Sequence, residues 1–133
     1  MKITADTNVL VRAITNDDVG QSRVAEAELA NADVVALALP ALCELVWVLS
    51  QGYKIPSAEI AEAIRRLMNS ANVLANRPAV EAGLALLDAG GDFADGIIAY
   101  EGRWLGAQMF VSFDKKAVKL MKAQGETVRL LLS

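Results

Sequence analysis

The 133-residue chain carries 13 Lys and Arg against 16 Asp and Glu, and 54% of its residues are hydrophobic. The apolar fraction excludes a disordered chain, the net charge of -3 argues against bulk-charge coating of nucleic acid, and the length suits one domain over residues 1–133. Histidine is absent and Cys43 is the only cysteine, which excludes histidine-dependent hydrolases, disulfide frameworks and zinc sites built from cysteine or histidine.

Apolar runs and helical repeats alternate along the chain. The predicted strands cover residues 2–5, 34–39, 73–75, 109–113 and 127–132. Helical spacing predicts helices after Asp6, at 21–31, from Pro40 to Leu49, from Ser57, at 78–88, at 92–105 and at 115–124. Strands that alternate with helices are typical of an α/β fold with a parallel sheet covered on both faces. The run at 34–39 is continuously apolar, so we expect that strand to be buried on both faces.

The first residues do not resemble a signal peptide, because Lys2 is followed at once by a short strand and then by Asp6. No apolar run is long and charge-free enough to span a membrane. We therefore expect a cytoplasmic protein with no membrane partner. The glycine-rich phosphate-binding patterns Gly-x-x-x-x-Gly-Lys and Gly-x-Gly-x-x-Gly are also absent from the sequence, which argues against those kinds of nucleotide site.

Residues 90–99 read Gly-Gly-Asp-Phe-Ala-Asp-Gly-Ile-Ile-Ala. The two glycines are suited to end one helix, and Asp92 is suited to cap the next with its carboxylate. Asp92 and Asp95 are spaced so that a helix beginning at Asp92 places both carboxylates on one face. Helix capping explains Asp92 without any function, whereas Asp95 lies among apolar residues and has no such explanation.

Three further acids stand in unusual positions. Asp6 follows the first predicted strand and Asp114 the fourth, and the carboxyl ends of parallel strands share one edge of a sheet, where sites form. Each could instead be only a helix N-cap. Glu44 is the only charge in the run 41–49, so we expect it to be at least partly buried. A buried acid must be paired, protonated or metal-bound, and a salt bridge to an arginine is the purely structural alternative.

Clustered carboxylates without histidine or thiolate favour a hard divalent cation such as Mg²⁺ or Mn²⁺. Such a cation offsets the mutual repulsion of the acids, and it can activate a water for attack on phosphorus. The acids therefore predict metal-dependent hydrolysis of a phosphate ester. Trp47 and Trp104 are expected in the core or at an interface rather than in catalysis.

A cationic stripe follows Asp114, and its members are Lys115, Lys116, Lys119 and Lys122. It suits either a solvated helix face or a substrate-binding face. Arg103 lies eight residues after Asp95, about two helical turns along and near the same face. Arg12, in an otherwise apolar first helix, suits either an ion pair at the edge of the core or a phosphate contact.

Four segments resemble, in the same order and spacing, the motifs of the PIN domain, specifically of VapC-type toxins. They are 6–10 (Asp-Thr-Asn-Val-Leu), 44–49 (Glu-Leu-Val-Trp-Val-Leu), 92–99 (Asp-Phe-Ala-Asp-Gly-Ile-Ile-Ala) and 112–114 (Ser-Phe-Asp). The similarity covers essentially the whole chain. It implies a three-layer α/β/α domain with a parallel sheet of four to five strands, and an Mg²⁺- or Mn²⁺-dependent endoribonuclease.

The resemblance also implies which residues form the site. The family's acidic quartet of catalytic, metal-binding residues falls on Asp6, Glu44, Asp95 and Asp114, and Asp92 is an additional metal ligand. Thr7 and Asn8 occupy the polar positions that orient the first aspartate, and Ser112 stands where a threonine or serine is usual. Gly96 stands where alanine is common, and we expect it to loosen its helix slightly without removing a ligand.

VapC-like proteins are usually toxins that a co-expressed antitoxin holds inactive, and they commonly form homodimers. The resemblance therefore implies an RNA substrate, structured RNA of the translation machinery, together with an antitoxin partner and a dimer. The candidate RNA contacts are Arg12, Arg103, Lys115, Lys116 and Lys119.

Two rival functions remain at this point. One is a catalytically inactive PIN-like binding module, whose acids would anchor an arginine of a partner. The other is an Mg²⁺-binding receiver-like signalling domain. That fold needs a lysine at the end of a late strand, and residues 127–130 (Thr-Val-Arg-Leu) offer none.

Overall fold

The computed structural model describes residues 1–132, which divide by their contacts into two units. The first unit is Met1–Asn76, and the second begins at Arg77. The division is one of contacts, and the single domain over residues 1–133 stays a prediction. Among the described residues, no helix combines the length and the apolar content that crossing a bilayer requires.

The first unit is built on a parallel sheet of three short strands. They are β1 (Lys2–Thr4), β2 (Val34–Leu37) and β3 (Val73–Ala75), in the order β1-β2-β3. In β2, the central strand, Val35 and Leu37 are buried whereas Val34 and Ala36 are only half-buried. The prediction that this strand is buried on both faces is therefore wrong. The sequence of this strand is apolar at every position because Val34 and Ala36 are apolar too, although they lie on the face of the sheet that is incompletely covered.

Four α-helices complete the first unit: α1 (Thr7–Ile14), α2 (Val19–Asn31), α3 (Leu39–Trp47) and α4 (Ser57–Met68). The helix α2 begins two residues earlier than predicted, because the Asp18 carboxylate caps it by accepting the Gln21 N–H. Pro40 lies in the first turn of α3, and a π-helical turn, Val48–Gly52, follows that helix. The side chains that are almost fully buried in this unit include Leu10, Leu42, Leu45, Leu49, Ile60 and Ile64.

The second unit contains three helices and two strands over its described part. They are α5 (Arg77–Asp88), α6 (Phe93–Trp104), β4 (Phe110–Ser112), α7 (Lys115–Ala123) and β5 (Val128–Leu130). The strands β4 and β5 pair in parallel. Leu86, Ala99 and Met121 form a buried cluster that joins α5, α6 and α7, and the partly buried Phe110, Leu120 and Val128 pack against it.

The turn between α5 and α6 has the form that the sequence predicts. Gly90 has a positive φ of 93°, which favours glycine. The Gly91 N–H donates to the carbonyl of Leu86 (2.8 Å) and the Gly90 N–H to that of Leu87 (3.0 Å). These two bonds are the Schellman arrangement that ends a helix. Asp92 then caps α6, so the end of one helix and the start of the next are fixed by neighbouring residues.

The strands and helices lie where the sequence predicts them, but the single sheet of four to five strands is wrong. Over residues 1–132 the strands form one sheet of three and another of two. Strands of three or four residues make few ladder bonds to each neighbour. The hydrophobic pattern identifies such strands, whereas it does not determine which of their edges pair.

Candidate active site

Asp6 stands at the carboxyl edge of the three-stranded sheet, just beyond β1. Its carboxylate accepts the Thr7 N–H (2.8 Å), so it caps α1 and is exposed at the surface. Thr7 thus orients Asp6 through its backbone N–H. Its buried hydroxyl instead donates to the carbonyl of Ala41, at 3.4 Å, in the first turn of α3. Asn8 follows on the first turn of α1 and is exposed.

Glu44 lies on α3, which begins directly after β2, the neighbour of β1 in the sheet. The helices that carry Asp6 and Glu44 therefore start at the same sheet edge, and the bond from Thr7 to Ala41 ties them together. Glu44 is exposed, so the prediction that it is at least partly buried is wrong. The helix buries Leu42 and Leu45 and leaves Glu44 on the opposite side.

The tryptophan on the same helix follows the same pattern. Trp47 lies three residues after Glu44, and 65% of its surface is exposed. Trp104, at the end of α6, is 81% exposed. Neither side chain is a core residue, so the prediction that the tryptophans lie in the core is wrong. Their alternative placement at an interface stays a prediction.

In the second unit, Asp92 and Asp114 both cap helices. Asp92 accepts the N–H groups of Ala94 (2.7 Å) and Asp95 (3.3 Å) at the start of α6. Asp114 accepts the Ala117 N–H (3.0 Å) at the start of α7. The Asp114 N–H in turn donates to Oγ of Ser112, at 3.0 Å. Ser112, the last residue of β4, therefore fixes the peptide that carries the Asp114 side chain.

Asp95 differs from these two because it lies in the first turn of α6 and is half-buried. Burial raises the pKa of the Asp95 carboxyl, and the negative charges of Asp92 and Asp114 raise it further. Asp92 and Asp114 are therefore close enough to Asp95 to affect its ionisation. We call Asp92, Asp95 and Asp114 the acidic cluster of the second unit.

The described residues of neither unit, taken by itself, gather three or more Asp, Glu, Cys or His into a group that could hold a metal ion. The chemistry of the donors nevertheless fits a hard divalent cation, because every candidate ligand is a carboxylate. Asp95 supports this fit, since its neighbours in the acidic cluster make its ionised form costly without a cation.

The candidate RNA contacts fall into two groups. Both arginines are ion-paired: Arg12 with Asp17 at 2.8 Å, and Arg103 with Glu126. Arg103 also lies over the ring of Tyr100, 5.9 Å from its centroid. The cationic stripe on α7 is exposed throughout, and the lysines in it are Lys115, Lys116, Lys119 and Lys122. The ion pair is the arrangement that Arg12 adopts here, and the RNA contacts stay predictions.

Sequence reasoning missed two features. Tyr53 binds Asp17 and Arg12 through its hydroxyl, and nothing in the turn at 52–56 indicates these partners. Gly96 lies directly against α5, a contact that was not predicted, and the expectation that it loosens its helix slightly stays a prediction. A glycine between Asp95 and a buried isoleucine, Ile97, was the available signal for a close helix contact.

A comparison against protein families identifies the family of this chain. A sequence model of the PIN domain matches residues 3–122, which include every candidate acid. The chain belongs to the PIN domain family. PIN domains are α/β proteins and are generally nucleases that typically use divalent metals. This match excludes the alternative that the chain is a receiver-like signalling domain. We find no match among curated proteins.

Proposed function

We propose that this PIN domain is an Mg²⁺- or Mn²⁺-dependent endoribonuclease of the VapC type, the toxin of a toxin–antitoxin pair, and that it cleaves structured RNA of the translation machinery in the cytoplasm. The observation that carries the proposal is the acidic cluster of the second unit. Asp95 is half-buried beside the charges of Asp92 and Asp114, an arrangement that opposes ionisation of its carboxyl. Perturbed acids of this kind are typical of functional sites.

The roles of the acids follow from the resemblance to VapC-type toxins. Asp6, Glu44, Asp95 and Asp114 would hold the divalent cation, with Asp92 as an additional ligand. A bound Mg²⁺ or Mn²⁺ supplies Lewis acidity toward a phosphate ester and toward the attacking water. A carboxylate that caps a helix through one oxygen can still offer its other oxygen to a cation. Capping and ligation are therefore compatible for Asp6, Asp92 and Asp114.

Other residues of the PIN domain would position these acids and the RNA. The Thr7 N–H holds the Asp6 carboxylate, and Ser112 holds the peptide of Asp114. The cationic stripe begins in the residue after Asp114, so RNA phosphates bound there would lie beside a candidate ligand. Arg103 could bind a phosphate only by sharing or leaving its ion pair with Glu126.

The proposed partners, an antitoxin and a second copy of the chain, rest on the same resemblance. The antitoxin proposal would be supported if a small gene directly precedes this one and encodes a protein whose N-terminal half binds DNA. Co-purification of the two products, with loss of ribonuclease activity in the complex, would test it. Light scattering of the protein alone would test the dimer.

The enzymatic proposal is tested by cleavage of RNA with purified protein. Cleavage should require Mg²⁺ or Mn²⁺ and should stop with EDTA. Asp6→Asn, Glu44→Gln, Asp95→Asn and Asp114→Asn should each remove most of the activity and leave the protein folded. Asp18→Asn is the matched control, because it also changes a capping aspartate, on α2, outside the candidate site. Full activity in any two of the four site variants would contradict the assignment.

The rival function is a catalytically inactive PIN-like binding module. It is favoured by the observation that, within the described part of either unit alone, no three Asp, Glu, Cys or His side chains form a group that could hold a metal ion. Such a module would bind its partner equally well with and without EDTA and would cleave no RNA. Metal-dependent cleavage that the quartet variants abolish would exclude it.

A further inference from the structure

The helices α5 and α6 are in close contact at two glycines, Gly83 and Gly96. A Cβ atom built on Gly96 would overlap the carbonyl oxygen of Ala82 and would lie 2.8 Å from Cα of Gly83. Both obstacles are backbone atoms, so no change of side-chain rotamer can relieve the overlap. Any residue other than glycine at position 96 must therefore move α6 away from α5.

Phe93 packs against the same part of α5, one turn earlier on α6. Its ring is buried against Gly83, where a built Cβ would lie 2.8 Å from the ring atom Cε1. A cavity of about 190 Å³ adjoins this contact, bordered by Gly96, Ala99 and Arg103 of α6 and by Met121 of α7. Gly96 thus contacts the backbone of α5 directly, at the edge of this cavity.

The position of α6 matters because this helix carries Asp95, whereas Asp114 stands at the start of α7. The buried cluster of Leu86, Ala99 and Met121 joins all three helices, and α7, the helix that Asp114 caps, also packs against β4 and β5. A displacement of α6 from α5 would carry Asp95 with it, whereas α7 would keep its packing against β4 and β5. The spacing between Asp95 and Asp114 therefore depends on how closely α6 lies against α5.

We infer that Gly96 is a positioning residue, which lets the backbone of α6 lie directly against α5 and thereby sets where the Asp95 carboxylate stands relative to Asp114. Gly96 acts through Asp95, the residue before it, and it needs no contact with substrate. The inference rests on the proposed function, since its consequence is the strength with which Asp95 helps to hold a divalent cation.

The test compares Gly96→Ala with wild type and with Gly102→Ala. Gly102 lies on the same helix, and a Cβ there meets only Cβ of Ala107, at 3.8 Å, an ordinary contact. Mn²⁺ binding is measured by calorimetry without RNA, folding by circular dichroism, and RNA cleavage as a function of Mn²⁺ concentration. Gly96→Ala should fold but bind Mn²⁺ at least tenfold more weakly than wild type. Its cleavage should recover in part at high Mn²⁺, and Gly102→Ala should match wild type in both assays.

A purely structural glycine would give different results. It would lower the amount of folded protein and leave the Mn²⁺ affinity of the folded molecules unchanged, and that outcome overturns the inference. Gly96→Ala is also made in the Gly102→Ala background, where the added alanine favours helix formation. Failure to fold in both backgrounds would likewise assign Gly96 a structural role only. A wild type that neither binds Mn²⁺ nor cleaves RNA would refute the proposed function itself, and that failure is distinguishable because it appears without any substitution.

Discussion

The Tyr53 hydroxyl donates a 2.6 Å hydrogen bond to Oδ2 of Asp17, across 36 residues of sequence. Oδ1 of the same carboxylate accepts from Nη1 of Arg12 (2.8 Å) and from the hydroxyl of Thr15 (3.0 Å). One carboxylate thus joins α1, the turn before α2 and the segment after the π-helical turn. The hydrogen bond from Tyr53 is the largest of the effects that lower the pKa of Asp17.

The first prediction concerns the pH dependence of this network. Because the folded-state pKa of Asp17 is lowered, its contribution to stability is present above the unfolded pKa of about 4 and is lost as the pH falls through the folded value. Tyr53→Phe should therefore reduce the free energy of unfolding at pH 7 and flatten its dependence on pH below 4. Urea unfolding at a series of pH values measures both effects. Tyr100→Phe is the control, and an acid dependence shared by Tyr53→Phe and wild type would contradict the prediction.

The second prediction separates charge from capping at Asp92. Asn is as good an N-cap as Asp, so Asp92→Asn should keep α6 intact while it removes a negative charge near Asp95. The pKa of Asp95 should fall toward its ordinary value but stay raised, because burial is the larger cause. An NMR titration of the metal-free protein measures this pKa, with Asp18→Asn as the control. An unmoved Asp95 pKa would show that Asp92 is too distant to matter.

The third prediction concerns the stability of Asp95→Asn. The folded-state pKa of Asp95 is raised, so its stabilising contribution exists below the unfolded pKa and is lost as the pH rises through the folded value. At pH 7 in EDTA, Asp95→Asn should therefore melt at the same temperature as wild type or higher. Mn²⁺ at roughly a hundredfold excess over its dissociation constant should stabilise wild type by about 2.7 kcal/mol and the variant much less. A variant that is destabilised in EDTA, with an intact Mn²⁺ shift, would make Asp95 an ordinary structural residue.

The fourth prediction concerns the cationic stripe on α7. Replacing Lys115, Lys116 and Lys119 together by Gln should weaken RNA binding and reduce the slope of log affinity against log salt by up to about 2, since each lost phosphate contact on a single strand accounts for about 0.7. The metal requirement for cleavage should not change. A matched triple variant with the same loss of charge in the first unit, Lys2→Gln with Arg23→Gln and Arg66→Gln, should keep the wild-type slope. Equal slopes for the two triple variants would mean that the lysines form only a solvated helix face and do not contact RNA.

Local signals predicted much of this PIN domain. Gly90 and Asp92 bond to partners within a few residues of themselves, so the end of α5 and the start of α6 can be predicted from the local sequence alone. Asp6 and Asp114 could be placed for the same reason, because each follows a strand and caps the next helix. Motif order then led from these residues to the family.

Features that depend on distant partners could not be predicted in this way. The exposed position of Glu44 depends on which side of α3 packs inward, and a run that also carries the exposed Trp47 hides that choice. The pairing of short strands into two sheets depends on contacts far apart in sequence. The same holds for Gly96, whose role is set by the backbone of Ala82 on another helix.

The candidate acids differ in what folding itself asks of them. Asp6, Asp92 and Asp114 cap helices, and replacing a capping aspartate by alanine costs about 0.5–2 kcal/mol of stability. Asp95 lies inside the first turn of α6, where its charge works against the folded state. In a relative without nuclease activity, selection for folding would therefore retain the three caps, and Asp95 would be the first of these acids to be replaced. Among related proteins, the residue at position 95 should therefore distinguish active members from inactive ones, while the other aspartates are kept in both.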